Sequence, residues 1–307
     1  MKNLTELELD NYIRHILVFP GWKEEHKKCR DNHNEIKFVT QLIQRFQEHC
    51  YFHNIGLLTT PPEERRSVRA ADCVTLGMSG AGGVCVHLNA WFVSVLKSLG
   101  FQAHISAGNY FAYIPSPEGT HCIGILQLQG KVYGVDVGCS NPIDEPIPLH
   151  QLPYTRRAGG VRYEYRYNAD GDWYERWQLD GTILGEKFED ENEAQLRYRF
   201  TTRPKPISYF EENLVTIFTD AENSKFLRNL LLFRALPSPL DSEEGDISGK
   251  GRKFVVIFTK SVAVYDAEGK NAKKFESYRE MESFIIKYFP KLDSTLVTKA
   301  LTYLDSL

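Results

Sequence analysis

The second half of this 307-residue chain lacks histidine and cysteine. All nine histidines lie between His15 and His150, and all six cysteines precede residue 140. No two cysteines form a CxxC pair, and a secreted disulfide scaffold would be shorter and richer in cysteine. We therefore expect reduced thiols, most of them in the core, and we place any catalytic chemistry in the first half.

Other absences exclude whole classes of protein. No apolar run reaches the 18 residues of a membrane-spanning helix, and the N-terminus lacks the charged-then-apolar pattern of a signal peptide. The 37 Lys and Arg residues against 40 Asp and Glu give a net charge of −3, without a chain-wide basic footprint for nucleic acid. Zinc-ligand spacing and a phosphate-loop motif are also missing. We expect a cytoplasmic protein without a metal, membrane or nucleic-acid partner; its oligomeric state is not indicated.

The hydrophobic pattern changes twice along the chain. Apolar residues recur at helical spacing over 37–49, and 59–83 reads as a long glycine-rich loop. A strongly apolar helix over 84–99 ends at Gly100, the residue type that most often terminates helices. Five strands are then predicted, at 101–105, 121–128, 131–137, 162–167 and 173–179. Together they indicate an antiparallel sheet or small barrel.

The last hundred residues are of mixed character. Residues 223–236 fit a helix or a buried pair of strands, and 237–253 read as a polar surface loop. A hairpin is predicted at 254–259 and 262–265, and an amphipathic helix over 292–307.

Cys85 is the best candidate for a nucleophile. It follows Gly82-Gly83, which lets the backbone turn sharply into the predicted helix. In the first turn of that helix, the dipole and the unpaired N–H groups favour a thiolate. The alternative is an inert thiol that packs beneath the helix.

His121 and Asp136 are the candidate partners of Cys85. If residues 129–130 form a two-residue turn, the two side chains lie diagonally on one face of a hairpin, whereas a turn one residue longer separates them. In the first register Asp136 accepts a hydrogen bond from one ring nitrogen of His121, and the other nitrogen takes the thiol proton of Cys85. The alternative for His121 alone is a buried histidine with a structural role.

These residues resemble the arylamine N-acetyltransferase family. That family carries Arg-Gly-Gly-x-Cys-x-Glu-x-Asn ahead of a buried helix, where this chain has Ala-Gly-Gly-Val-Cys-Val-His-Leu-Asn over 81–89. The family then has a His at the start of a strand and an Asp in Val-Asp-Val-Gly, which match His121 and residues 135–138. The order Cys, His, Asp is the specific part of the match.

The resemblance implies an α+β fold with a cysteine-protease-like core. It has an N-terminal helical domain (1–100), a central antiparallel β-barrel (101–203) and a C-terminal α/β lid (204–307). It also implies a catalytic triad of Cys85, His121 and Asp136. Acetyl-CoA would donate an acetyl group to the cysteine, and an arylamine, hydrazine or hydroxylamine would then accept it in a ping-pong reaction.

The chain departs from the family pattern beside the triad. Ala81 replaces an Arg, His53 and His87 each replace a Glu, and Cys139-Ser140 replaces Phe-Gly. Altered supporting contacts can change the rate or the substrate. Three alternatives therefore stay open: an amide synthase that uses a longer acyl thioester, a hydrolase with the same triad, and a protein that binds a thioester without turnover.

Overall fold

The fold combines N-terminal helices with two antiparallel sheets, and the predicted α+β class with a barrel-like sheet is confirmed. The computed structural model describes residues 2–111, 119–139, 143–158, 161–180, 194–237, 252–266 and 269–307. Within these residues, no helix has both the length and the apolar composition needed to cross a membrane. The division of the chain into three domains at 100 and 203 stays a prediction.

Helices dominate the first hundred residues, with one short strand, β1 (Phe52–His53), among them. The helices predicted over 37–49 and 84–99 are both confirmed, and the second is buried along nearly its whole length. The helices are α1 (Glu6–Asn11), α2 (Trp22–Asp31), α3 (Glu35–His49), α4 (Ile55–Thr59), α5 (Ala70–Ser79) and α6 (Cys85–Ser98), with a π-helical turn at Tyr12–Ile16 and a 3₁₀ turn at Pro62–Glu64.

The prediction of an uninterrupted loop over 59–83 was wrong, because α5 lies inside it. Its apolar spacing is interrupted by Gly77, a residue type that normally argues against a helix interior. A Cβ on Gly77 would lie 2.2 Å from the Trp91 ring, so glycine allows the two helices to approach. The Asp72 carboxylate accepts a hydrogen bond from the Arg69 N–H at 2.8 Å and caps the first turn.

The larger sheet has eight antiparallel strands in the order β5-β4-β3-β2-β9-β8-β7-β6. Five of them match predicted strands. Strand β5 escaped prediction because it has only two residues, and β6 because two adjacent arginines interrupt its apolar alternation. Strand β9 does alternate, with Leu196, Tyr198 and Phe200 separated by arginines, so its signal was present in the sequence and was missed. The strands are β2 (Gln102–Tyr110), β3 (His121–Leu128), β4 (Lys131–Val135), β5 (Ile147–Pro148), β6 (Tyr154–Ala158), β7 (Val161–Asn168), β8 (Trp173–Asp180) and β9 (Gln195–Phe200).

The smaller sheet joins the two ends of the chain, because β1 pairs with β10. Its order is β1-β10-β11-β12-β13. The predicted hairpin is β11–β12, and the final helix is confirmed. The strands and helices are α7 (Ile207–Asn213), α8 (Val215–Thr219), α9 (Lys225–Arg228), β10 (Leu231–Ala235), β11 (Phe254–Phe258), β12 (Ser261–Asp266), β13 (Gly269–Lys274), α10 (Glu282–Tyr288) and α11 (Ser294–Asp305), with a 3₁₀ turn at Arg279–Met281.

Two predictions for this part of the chain have a mixed outcome. Residues 223–236 contain both proposed element types, because the short helix α9 is followed by the buried strand β10. Most of the polar loop predicted at 237–253 lies outside the described residues.

Candidate active site

A sharp backbone turn places Cys85 at the start of α6. Gly82 has a φ of +89°, a left-handed conformation that L side chains rarely adopt. Gly83 then pairs with β1: its N–H donates to the Tyr51 carbonyl and its carbonyl accepts from the His53 N–H, both at 3.0 Å. Cys85 follows as the first residue of the helix, with 7% of its surface exposed. The turn and the strand together fix where the thiol lies.

The hairpin of β3 and β4 places His121 beside Asp136. Leu128 pairs with Lys131, so residues 129–130 form the predicted two-residue turn and the predicted register is confirmed. His121 opens β3, and Asp136 follows directly after β4. The Nε2 atom of His121 lies 2.7 Å from Oδ2 of Asp136, and both side chains are buried.

The backbone after Asp136 packs directly on the start of α6. A Cβ on Gly138 would lie 2.8 Å from the Cα of Cys85, so this contact requires glycine. Cys85 lies close enough to His121 to raise the pKa of its imidazole. Because Nε2 of the imidazole is taken by Asp136, Nδ1 is the nitrogen that faces the thiol. The structure therefore brings all three predicted site residues together, one from α6 and two from the hairpin.

Asn89 holds Asp136 in place. It lies one helical turn after Cys85, and its side-chain N–H₂ donates to Oδ1 of Asp136 at 2.8 Å and to the Cys122 carbonyl at 2.7 Å. Its carbonyl oxygen accepts from the Val137 N–H at 2.8 Å. Sequence reasoning noted Asn89 within the motif but gave it no role. Its position four residues after Cys85, on the same helix face, was the available signal.

The buried charges of this site support one another. Burial alone would lower the pKa of His121, but the Asp136 carboxylate and Cys85 outweigh it and raise this pKa to about 10. Burial likewise opposes ionisation of Asp136, yet the His121 imidazolium and the hydrogen bond from Asn89 lower its pKa. At neutral pH His121 is thus protonated and Asp136 is ionised. An imidazolium beside a thiol stabilises the thiolate.

Two tyrosines from neighbouring strands flank the imidazole. The ring centre of His121 lies 4.9 Å from that of Tyr198 on β9 and 5.9 Å from that of Tyr110 on β2. Sequence reasoning missed both, because they come from separate strands and no local spacing connects them with His121. They enclose the imidazole on its barrel side.

The family-divergent histidines support the turn before Cys85. Nε2 of His53 donates to the Ala81 carbonyl at 2.8 Å, and Nδ1 of His87 accepts from the Val84 N–H at 3.3 Å. Burial lowers the pKa of His53 and lowers that of His87 to about 4, so both rings are neutral at pH 7. Uncharged imidazoles and Ala81 therefore occupy positions at which the resemblance predicts two carboxylates and a guanidinium. Of the other two altered positions, Cys139 is buried and Ser140 lies outside the described residues.

These two histidines line a cavity of about 470 Å³ beside the start of α6. The cavity also contacts Val84 and Phe218, but Cys85, His121 and Asp136 do not line it. In the part of the chain that the structure describes, no three His, Cys, Asp or Glu side chains are grouped to hold a metal ion.

Comparisons with known proteins agree with the predicted resemblance. The model of a protein family described as N-acetyltransferase matches residues 36–288. A search of curated proteins gives no significant match.

Several solved structures share the fold. The arylamine N-acetyltransferase of Mycobacterium smegmatis has a TM-score of 0.67 and 19% identity, over 88% of this chain and 92% of that one. The Mycobacterium marinum arylamine N-acetyltransferase in complex with CoA has a TM-score of 0.67 and 17% identity, over 86% of this chain and 90% of that one. The enzyme from Salmonella typhimurium has a TM-score of 0.64 and 15% identity, over 85% of this chain and 89% of that one.

Proposed function

Because this chain belongs to the N-acetyltransferase family, we propose that it transfers an acetyl group from acetyl-CoA to an arylamine, hydrazine or hydroxylamine through a thioester on Cys85. The observation that carries the proposal is the buried chain of contacts from Cys85 through His121 to Asp136. The complex of the Mycobacterium marinum enzyme with CoA supports a CoA thioester as the donor.

The first half-reaction loads Cys85. Its thiolate attacks the thioester carbonyl of acetyl-CoA, and backbone N–H groups in the first turn of α6 stabilise the oxyanion. The bond between the carbonyl carbon and the CoA sulfur then breaks. His121, held as an imidazolium by Asp136, gives its proton to the departing CoA thiolate.

The second half-reaction transfers the acetyl group. The imidazole of His121 is now neutral and accepts the proton of the attacking amine nitrogen. The C–S bond to Cys85 breaks, and the thiolate and imidazolium are restored. Asp136 keeps one orientation of the ring through both steps, because it binds Nε2 and leaves Nδ1 free for the reaction.

Steady-state kinetics with acetyl-CoA and an aniline or hydrazine test this proposal. We expect parallel double-reciprocal lines, and without an acceptor we expect one equivalent of CoA released per enzyme. Cys85→Ala should abolish both, whereas Cys73→Ala, which removes a buried thiol from the helix packed against α6, should keep both.

Two results would redirect the proposal. Continuous CoA release without an amine would indicate a hydrolase. Acyl transfer from longer thioesters but not from acetyl-CoA would indicate an amide synthase.

A further inference from the structure

A fully buried guanidinium lies inside the eight-stranded sheet, and no carboxylate in the described part of the chain forms a salt bridge with it. Arg176 on β8 has no exposed surface, and among the described residues none of its three guanidinium nitrogens makes a hydrogen bond. Its guanidinium carbon instead lies 3.9 Å from the ring centre of Tyr163 and 5.7 Å from that of Tyr198. Buried charges are normally paired, so a cation kept here needs a reason.

The strand register connects this cation to the candidate active site. Arg176 lies directly opposite Tyr165 on β7 and opposite Tyr198 on β9. Tyr198 lies in turn opposite Tyr110 on β2. A row of four facing positions therefore crosses the sheet from β7 to β2.

The row ends at the imidazole of His121. The ring centre of Tyr198 lies 5.7 Å from the guanidinium carbon of Arg176 and 4.9 Å from the ring centre of His121. Both groups thus neighbour the same aromatic ring, and the imidazole is hydrogen-bonded to Asp136 at 2.7 Å. Charges buried this close to each other are weakly screened.

The charges of the site balance only when Arg176 is included. In the reactive form of the proposed enzyme, the Cys85 thiolate and the Asp136 carboxylate outnumber the His121 imidazolium by one negative charge. We propose that Arg176 is a positioning residue, which acts through Asp136 and His121 and whose buried charge offsets this excess and favours the thiolate. The inference rests on the proposed function of the triad.

The other charged groups nearby leave the guanidinium free for this role. Asp144, which acts on Tyr163, lies 3.2 Å from Arg156 and is paired with it. Arg176 is also one of the groups that lower the pKa of Asp136 against the effect of burial. The titratable groups around Arg176 and the triad are Tyr163 and Tyr165 on β7, Tyr198 on β9, Cys139 and Asp136 after β4, Cys122 on β3 and Cys73 on α5.

The pH dependence of Cys85 alkylation tests the inference. Iodoacetamide reacts with the thiolate, and peptide mass mapping reports Cys85 separately from the other thiols. A nearby cation favours each deprotonated form, so Arg176→Met should move both titration steps of the profile to higher pH. The Arg176 guanidinium carbon and the His121 ring centre lie 5.7 Å and 4.9 Å from the Tyr198 ring centre, so they are at most about 11 Å apart. At an effective dielectric constant of about 20, the expected shift is about one pH unit, or tenfold slower alkylation below the midpoint.

Three further variants separate the charge of Arg176 from its packing. Arg176→Lys should retain the wild-type midpoint. Tyr165→Glu places a carboxylate directly opposite Arg176 and gives the guanidinium a partner. It should therefore raise the alkylation midpoint as Arg176→Met does. If Arg176→Met does not fold, Tyr165→Glu provides the test instead. Arg252→Met removes another buried arginine, one paired with Glu48 at 2.9 Å, and should leave the midpoint unchanged.

An unchanged midpoint in folded Arg176→Met or Tyr165→Glu protein overturns the inference. An equal shift in Arg252→Met overturns it as well, because the effect would then be a general consequence of lost stability. Alkylation needs neither acetyl-CoA nor an acceptor. A shifted midpoint in a protein that does not transfer acetyl groups would therefore refute the proposed function and leave the charge coupling in place.

Discussion

Asp136 shows how single residues make this site work. Its carboxylate is fully buried, and three donors hold it in the ionised form: His121, the Asn89 side chain and the Gly138 N–H at 3.2 Å. A buried carboxylate with fewer donors would take up a proton instead. The orientation and charge of His121 therefore depend on residues that never touch the substrate.

Asn89→Ala tests this dependence. The change removes a donor from Asp136 and leaves the buried Val137 N–H without its acceptor, so we expect a loss of about 1–3 kcal/mol in the free energy of unfolding. The pKa of Asp136 should rise, and the acidic limb of the activity profile should move to higher pH. Urea unfolding and a pH–rate profile measure the two effects. An unaltered acidic limb would show that Asn89 contributes only to stability.

The triad residues should also act as one unit. By analogy with hydrolase triads, Asp136→Asn should reduce kcat by about 10⁴-fold, because it favours the wrong tautomer of His121. His121→Gln should cost a similar factor, and the double variant should be little worse than either single one. Single-turnover acetylation rates measure all three. Multiplicative losses in the double variant would mean that the two residues act independently.

At the scale of elements, the start of α6 is built from a turn, a strand and a cap. His87 is the third residue of the helix, and its Nδ1 accepts from the Val84 N–H just before the first turn. A Glu or Gln at this position does the same in a capping box. The neutral imidazole thus replaces the carboxylate that the resemblance predicts, without losing the cap.

His87→Gln should change how stability depends on pH. The pKa of His87 is about 4 in the folded protein against 6.5 ordinarily, so only the unfolded chain takes up this proton between those values. The free energy of unfolding of the wild type therefore falls by up to about 3 kcal/mol, because of His87, as the pH falls from 6.5 to 4. Above pH 6.5 this loss vanishes. Urea midpoints at pH 7 and 4.5 should differ less in His87→Gln. An equal difference in both proteins would contradict the assignment.

The sequence predicts those elements whose contacts are local. The His121–Asp136 pair follows from one turn and one register, and α6 follows from its apolar spacing. Helix α5 was missed because Gly77 lies within it, and the reason for that glycine is its close contact with Trp91 on another helix. Arg176 has the pattern of an ordinary strand residue, and its burial becomes visible only when β7 and β9 pair on either side of it. The meeting of Cys85 with His121 is likewise a tertiary contact, which sequence reasoning proposed from the chemistry of the two side chains and which the resemblance supported.

At the scale of the whole molecule, a buried ion pair joins the N-terminal helices to the smaller sheet. Glu48 on α3 accepts from Arg252, just before β11, at 2.9 Å, and its backbone carbonyl accepts from Arg234 on β10 at 3.1 Å. Both charged side chains are nearly inaccessible, at 6% and 2% exposure. The pair ties together segments about two hundred residues apart in the sequence.

Glu48→Gln should destabilise the fold without changing the chemistry. Loss of the carboxylate leaves the Arg252 charge buried and unpaired, which costs about 3–5 kcal/mol. Chemical denaturation should show this loss, while kcat of the folded variant at low temperature should match the wild type. A large fall in kcat at unchanged stability would place Glu48 in the active site instead.

The central claim is that Cys85 carries the acetyl group between donor and acceptor. The most direct test is the intact mass of the protein after mixing with acetyl-CoA alone, followed by peptide mapping and then by addition of an arylamine or hydrazine. The account predicts one acetyl group, located on Cys85 and removed by the amine. Acetylation at another residue, or no acetylation of folded protein, would contradict it.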